Sequence, residues 1–526
     1  MLNSALNFGG VFTAPHREAA YVGRQILDQG GTAMEAMVAA AAMIAVVYPH
    51  MNGIGGDGFW LIHRPGQDLV GISACGQAAA LATPAWYAAR GYKDTLPTRG
   101  GAAALTVPGT IGGWELALQT VDRAERLSVA DLLRPAVTKA RNGIAVTGNQ
   151  SICTAEKLSE LQSLPGFSET FLIDGKVPAA GALLRQECLA DTLEELGREG
   201  LASFYNGRIA AQNAAWLEEN GSPLRLEDFA ACRAERVTPL EMKTRGDTLH
   251  NMVPPTQGVA SLMILGLFDR LNVGQGEGFD HIHGLIEATK QAFIRRNRDL
   301  GDPLTMTMPA QDWLDDHELD KLAGRIDGKR ALPWPHKPAD GDTIWMGAAD
   351  RYGNVVSFIQ SVYWEFGSGL TCPQTGVFFQ NRGAGFSLQP GPNQLAPGKR
   401  PFHTLNPALA YLADGRVIAY GTMGGEGQPQ TQAAIFTRYA RFGMPLQQAI
   451  TAPRWLLGRT WGASSTNLKL ESRFDARLTA ALRAAGHEVE DIAPFSDLCG
   501  HAGAVVYHTD GLCEGAFDPR SDGVAI

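Results

Sequence analysis

The sequence predicts an α+β layered fold, with sheets inside and helices outside. Three observations predict it. The N-terminal third holds two helical segments followed by a hairpin. The middle reads as largely helical, and after residue 343 the pattern changes to strands first and helices second.

A helix is expected from about Glu18 to Asp28, stopped by Gly30-Gly31. Thr32 starts a second one, with Glu35 three residues on completing a capping box. That segment is Ala-rich and apolar nearly all round, which predicts burial. It ends near Tyr48-Pro49-His50 and leads into the glycine-rich loop Met51–Gly58. Phe59–His63 and Leu69–Ile72 then read as a hairpin around Pro65-Gly66.

From about Ser128 to Arg330, caps and apolar spacing mark helices near Ala130–Asn142, Cys188–Glu199 and His281–Arg298. A Pro-rich, polar stretch from Leu332 to Asp342 follows. Thr343 opens a strand that turns at Asp350–Asn354 and returns through Val355–Ser361. Val377–Gln380 reads as a strand, and Ala408–Leu412 with Val417–Tyr420 brackets a turn at Ala413-Asp414-Gly415. Helices near Thr431–Arg441, Pro445–Ala452 and Ala476–Ala485 and a hairpin Ala502–Tyr507/Gly511–Gly515 close the chain. There is no internal repeat.

Composition narrows the function classes. Across 526 residues, 45 Lys and Arg face 54 Asp and Glu, a formal net charge of −9, and no basic stripe is present to neutralise phosphates. Nucleic-acid binding is thereby excluded. The most apolar stretch, Ala33 to Val47, carries Glu35 and falls short of the ~20 residues that span a bilayer. No secretory signal is visible, since Met1 to Gly10 lacks a long apolar run. The seven cysteines are scattered and odd in number, as expected of reduced, mostly buried thiols in the cytoplasm.

Several local patterns carry candidate chemistry. Gly53-Ile54-Gly55-Gly56-Asp57-Gly58 matches the dinucleotide fingerprint, which requires a strand before and a helix after. Here the order is reversed, so a tight loop approaching a ligand or another segment is expected. His281 and His283 sit two apart on a helix and point to different faces, with no cluster completing a metal site. Gly424-Gly425, between an apolar strand and a helix, presents consecutive backbone N–H groups. Such a turn suits an oxyanion and equally a plain strand-to-helix connection. Thr343 stands where a self-cleaving hydrolase keeps its nucleophile, although a Thr opening a strand is also ordinary β propensity.

Taken in order, these segments resemble the γ-glutamyltransferase family of N-terminal-nucleophile hydrolases. The resemblance rests on Gly30–Ala36, the Pro49–Gly58 loop, Thr106–Gly109, Pro254-Pro255-Thr256-Gln257-Gly258, Gly301-Asp302-Pro303 and the Asp342-Thr343 junction. It continues through Phe366–Gly369, Gly398–Pro401, Gly424-Gly425, Ala452-Pro453-Arg454 and Asp518–Asp522. It implies a four-layer αββα sandwich and a proenzyme that cuts itself between Asp342 and Thr343. Residues 1–342 would form the large subunit and residues 343–526 the small one, intertwined as one domain, with a dimer of such heterodimers as the larger assembly.

In that scheme Thr343 is the nucleophile and its freed α-amine the base. Gly424 and Gly425 hold the oxyanion, Ser361 orients the amine, and neither cofactor nor metal is needed. The chain departs from the family's glutamyl-binding pattern at Cys75, Tyr363, Gly385 and the pair His403-Thr404. The run Tyr48–Trp60 combined with Gln380–Phe386 resembles the oxamate amidohydrolase branch, which hydrolyses oxamate to oxalate and ammonia in urate and purine breakdown. Substrate-binding residues are then expected at Arg382, Tyr363, His403 and Thr404. Arg382 would either dock the carboxylate or pair with a neighbouring acid. A γ-glutamyl hydrolase or transferase, or a cephalosporin-type acylase, is the alternative.

Overall fold

Alternation along the strand Asp342–Asp350 sets the layers, because successive side chains leave a strand on opposite faces. Ile344, Met346 and Ala348 enter a core shared with helices, whereas Trp345 and Ala349 enter a core between two sheets. The structure is a computed structural model that describes residues 2–122, 126–334, 342–458 and 466–526. The linker residues 335–341, part of the Pro-rich stretch, lie outside the described residues.

Each inner sheet has seven strands. The first runs, in spatial order, Val524–Ala525, Gly10–Ala14, Asp342–Asp350, Val355–Tyr363, Asp57–His63, Val70–Ala74 and Glu235–Val237. The second runs Ala5–Asn7, Cys513–Phe517, Ala502–Tyr507, Val417–Thr422, Ala408–Tyr411, Asp247–Asn251 and Leu240–Thr244. Helices Arg17–Asp28, Ala33–Val47 and Thr110–Leu118 cover the outer face of the first. Helices Gly258–Arg270, Gly427–Phe436 and Leu446–Thr451 cover the second. The result is a four-layer αββα sandwich with three apolar cores, one between each pair of layers.

Helix Ala33–Val47 is buried along its whole length, and the Thr32–Glu35 capping box forms as its sequence requires. Between the sheets, Trp345 fills a slot made by glycines. A Cβ on Gly421 would stand 2.3 Å from its ring and one on Gly503 2.6 Å. Its indole N–H donates to Ser357 Oγ at 3.0 Å. Replacing Gly421 with Val should therefore cost about 1–3 kcal/mol of stability through overpacking. Denaturant unfolding of the variant against the parent measures it.

Three expectations need correction. Val377–Gln380 is not a strand among the described residues: in this segment only Phe378 bridges, to Thr371 through Phe379 N–H to Leu370 O and Cys372 N–H to Val377 O, and the next donor, Gln380 N–H, is taken by Gly55 O at 3.0 Å. The middle region is less purely helical than its caps suggest, since Glu235–Val237 is the end strand of the first sheet and the hairpin Leu240–Thr244/Asp247–Asn251 supplies the last two strands of the second. The helix expected at Thr431 starts four residues earlier, at Gly427, and closes in a π turn at Thr437–Arg441.

Candidate active site

Thr343 is fully buried at the end of its strand, on the face turned toward the second sheet. A β-bulge lies opposite it: Asp342 pairs with Tyr363 and Ile344 with Gln360, so Ser361 and Val362 share the place across from one residue. The bulge bends the partner strand, and Tyr363 leaves it at φ 84°, a left-handed conformation costly for a bulky side chain. Ser361 Oγ accepts the Tyr363 N–H at 2.8 Å, fixing that exit. The glycine-rich loop Gly53–Gly58 supports the bulge from behind. A Cβ on Gly56 would stand 2.1 Å from Ser361 O, and one on Gly55 1.8 Å from Phe378 O. The loop thus serves close approach to another segment.

Across from Thr343, the strand Val417–Thr422 passes into Gly424 and Gly425, with φ of 105° and 49°. Two consecutive positive φ values are open to glycine and costly for other residues. Neither amide donates to a described residue, and the helix Gly427–Phe436 begins directly after them. Gln428, in the first turn of that helix, donates through Nε2 to Thr343 Oγ1 at 3.5 Å, and its Oε1 accepts Asn406 N–H at 3.2 Å. This residue was not among the sequence candidates. A polar residue in the first turn after the double glycine was its only signal.

Gln257 ties the glycine turn to the opposite wall. Its Nε2 donates to Gly425 O at 2.8 Å and to Thr404 O at 2.7 Å, while Oε1 accepts Arg296 Nη1 at 2.7 Å. Arg296 is itself buried and paired with Glu426. Gln257→Leu would leave Thr404 O and a guanidinium N–H unpaired and strip Gly425 O of one of its two donors, the other being Gln428 N–H, costing about 1–3 kcal/mol for each unpaired buried group. We expect lower thermal stability together with a reduced kcat. A fall in stability with kcat unchanged would show that the turn does not depend on this brace.

The remaining candidates form the neighbouring wall. Arg382 is fully buried, its guanidinium 4.0 Å from the centre of the Tyr363 ring. Nη1 reaches Thr404 Oγ1 at 3.4 Å, while Nε and Nη2 have no hydrogen-bond partner among the described residues. No carboxylate of the described residues lies within ion-pair distance of Arg382, so the alternative of a paired arginine is not what the fold provides. Burial lowers its pKa to about 10, which still leaves it charged at neutral pH.

His403 Nε2 lies 3.0 Å from Asp57 Oδ2, and its Nδ1 has no partner among the described residues. Asp57 also accepts the Gly76 and Gly109 N–H groups at 3.1 Å each and Gln380 Nε2 at 3.0 Å. Burial raises its pKa to about 6 against the opposing pull of Arg382 and these donors. Cys75, in place of a cation, is a buried thiol whose pKa burial pushes up to about 12. A cavity of about 690 Å³ opens against Tyr363, Trp364 and Gly385.

Elsewhere, His281 and His283 do face different partners. His281 Nε2 meets Thr437 Oγ1 at 2.9 Å and His283 Nδ1 meets His487 Nε2 at 2.9 Å. The fold brings Glu287 and His487 beside His283, a convergence not visible in the sequence. Glu287, however, is paired with Lys290 at 2.7 Å, and His283 Nε2 binds Asp327 O, so an ammonium already answers the carboxylate. None of the seven cysteines forms a disulfide; six are buried and Cys188 is exposed. Among the described residues, no helix is long and apolar enough to cross a membrane.

A four-layer αββα sandwich with a hydroxyl residue on an inner strand, facing a double-glycine turn, defines the N-terminal-nucleophile hydrolase class. The gamma-glutamyltranspeptidase family model matches residues 19–526, and the chain belongs to that family. It is 52% identical, over 100% of its own length and 99% of the relative, to the oxamate amidohydrolase proenzyme of Klebsiella pneumoniae. It is 39% identical, over 100% of both chains, to the glutathione hydrolase-like YwrD proenzyme of Bacillus subtilis. Among solved structures, the cephalosporin acylase of Bacillus halodurans superposes with a TM-score of 0.92 at 32% identity, covering 100% of this chain and 97% of that one.

Proposed function

We propose that this chain is a self-processing amidohydrolase acting on a small acidic amide, with oxamate as the substrate. The observation that carries the reading is Arg382: a buried, charged guanidinium resting on Tyr363, with Nε and Nη2 unclaimed by the described residues. A buried cation with open donors matches a planar carboxylate, which accepts two parallel N–H bonds. Oxamate sets its amide directly beside such a carboxylate. The name of the Klebsiella pneumoniae relative, 52% identical throughout, agrees with this substrate.

In this reading the precursor is cut between Asp342 and Thr343, giving subunits of residues 1–342 and 343–526. Thr343 Oγ1 attacks the amide carbon, and the α-amine released by cleavage takes the hydroxyl proton and returns it to departing ammonia. The Gly424 and Gly425 amides stabilise the oxyanion, and Ser361 orients the amine across the bulge. Gln428 holds the hydroxyl in line. Water then resolves the acyl-enzyme to oxalate. Tyr363, His403 and Thr404 complete the carboxylate wall with Arg382.

Ammonia release from oxamate, run beside chromophore release from a γ-glutamyl anilide, tests the reading. Glutamyl turnover without oxamate hydrolysis would refute it. A second reading, a cephalosporin-type acylase, is favoured by the Bacillus halodurans superposition. It predicts turnover of a bulky acylated β-lactam in the same panel.

A further inference from the structure

Resting on the carboxylate-site reading above, we propose that Asp57 and His403 act as one proton-accepting unit, so that an anionic ligand enters the Arg382 pocket together with a proton. Asp57 would then be a positioning residue that sets both the tautomer and the charge of the pocket, a role assigned to it by neither the family resemblance nor the relatives' names.

The geometry fixes the starting state. Asp57 Oδ2 lies 3.0 Å from His403 Nε2, so Nε2 carries the proton and donates it. In a neutral imidazole Nδ1 is then a bare acceptor, and it is buried without a partner among the described residues. Such a lone pair facing a carboxylate would repel it. Arg382, whose charge His403 and Asp57 both feel, lies against Thr404, the next residue along. Without ligand, the pocket holds one positive group, Arg382, and one negative group, Asp57, and the charges balance. Adding one carboxylate leaves an uncompensated buried negative charge, which is costly.

One proton removes both conflicts. If it settles on His403, the imidazolium donates Nε2–H to Asp57 and Nδ1–H to the ligand. If it settles on Asp57, the acid O–H donates to Nε2 and the imidazole proton moves to Nδ1. In either arrangement Nδ1 becomes a donor on the residue next to Thr404, which Arg382 touches, and the pocket with its ligand is again neutral. Solvent supplies the proton and no bond to carbon changes.

The surrounding titratable groups leave this pair as the acceptor. Cys75 and Cys232, which face Asp57, are held by burial as thiols up to about 12. Tyr205 is pushed well above its ordinary range, and Arg382 stays charged to about 10. His403 is faced by Arg382 and by the edge of Phe59, which carries no charge. Asp57 itself titrates near 6 because burial opposes its charge. Below that value the free pocket already holds the proton, and above it the proton must arrive with the ligand. Affinity should therefore fall as pH rises past about 6, at up to tenfold per unit.

The test is calorimetric titration of pyruvate into the processed enzyme. Pyruvate keeps the planar α-oxo carboxylate of oxamate but has no amide to cleave. Titrations at pH 8 and pH 5, each in two buffers of different ionisation enthalpy, count the protons taken up. We expect uptake approaching one at pH 8 and falling toward zero at pH 5. Asp57→Asn, which leaves Arg382 alone to balance the ligand, should bind without uptake and lose the pH slope. Binding at pH 8 with no proton uptake, or undiminished uptake in Asp57→Asn, would overturn the proposal while leaving the carboxylate site standing. Processed enzyme that neither binds pyruvate nor hydrolyses oxamate would remove the site reading and this proposal with it.

Discussion

A Thr343→Ala chain should remain a single band of 56.3 kDa on a denaturing gel and release no ammonia from oxamate. The parent should resolve into two fragments, the smaller beginning at Thr343. The expected effect is the largest for any single substitution here, because two reactions need the same atom. In the proposed scheme, self-cleavage has Oγ1 attack the preceding carbonyl, and turnover has it attack the substrate. Losing the nucleophile of an acyl-transfer enzyme costs on the order of 10⁶ in kcat.

Folding should survive, which makes the result readable. The Thr343 side chain is small, its strand is held on both sides by Gly10–Ala14 and Val355–Tyr363, and Trp345 anchors it between the sheets. Thr343→Ser keeps the hydroxyl and should still split, more slowly, since the lost methyl frees the rotamer. If Thr343→Ala splits at the same bond, the nucleophile lies elsewhere and the roles given to Gln428 and Ser361 fall too.

How legible the molecule was in its sequence depended on how local each feature is. The Thr32 capping box, the buried helix after it and the hairpin built on Asp342–Asp350 and Val355–Tyr363 are written in adjacent residues, and all stand as read. The strands Leu240–Thr244 and Asp247–Asn251 were missed. They are five residues each and pair with one another across Arg245-Gly246; Leu240–Thr244 carries exposed Glu241 and Lys243 on one face, and the hairpin gains its place in the sheet through the pairing of Asp247–Asn251 with the distant strand Ala408–Tyr411. Local pattern cannot report such pairing.

The site divides the same way. Thr343, Gly424 and Gly425 are visible as candidates through a strand start and a double glycine. Gln257 and Gln428 look like ordinary glutamines, and their meaning comes from which carbonyls and hydroxyl the fold sets beside them. Asp57 was read only as a letter in a glycine loop. Its four donors come from residues 76, 109, 380 and 403.

Replacing Arg382 with Met should lower kcat/KM for oxamate by about 2–5 kcal/mol, roughly 30- to 5,000-fold, mostly through KM. Met keeps the apolar stem against Tyr363 while removing the charge and the fork, so the loss reports recognition of the carboxylate. Arg382→Lys should fall between, because an ammonium restores the charge but neither the bidentate geometry nor the stacking over the ring. Neutral small amides supply the control: their slow turnover should be unchanged, and an equal loss on them would mean that Arg382 serves the architecture. Stability carries a second signature. Arg382 lowers the Asp57 pKa, which burial has already raised to about 6 from an ordinary 3.8. A buried acid with a raised folded pKa contributes its stability below the unfolded value and loses it as pH rises through the folded one. Without Arg382 the folded pKa rises further, so the loss continues above 6. Denaturant unfolding should therefore show Arg382→Met more destabilised, relative to the parent, at pH 8 than at pH 5. A pH-independent difference would separate Asp57 from the arginine and leave only the kinetic half of the argument.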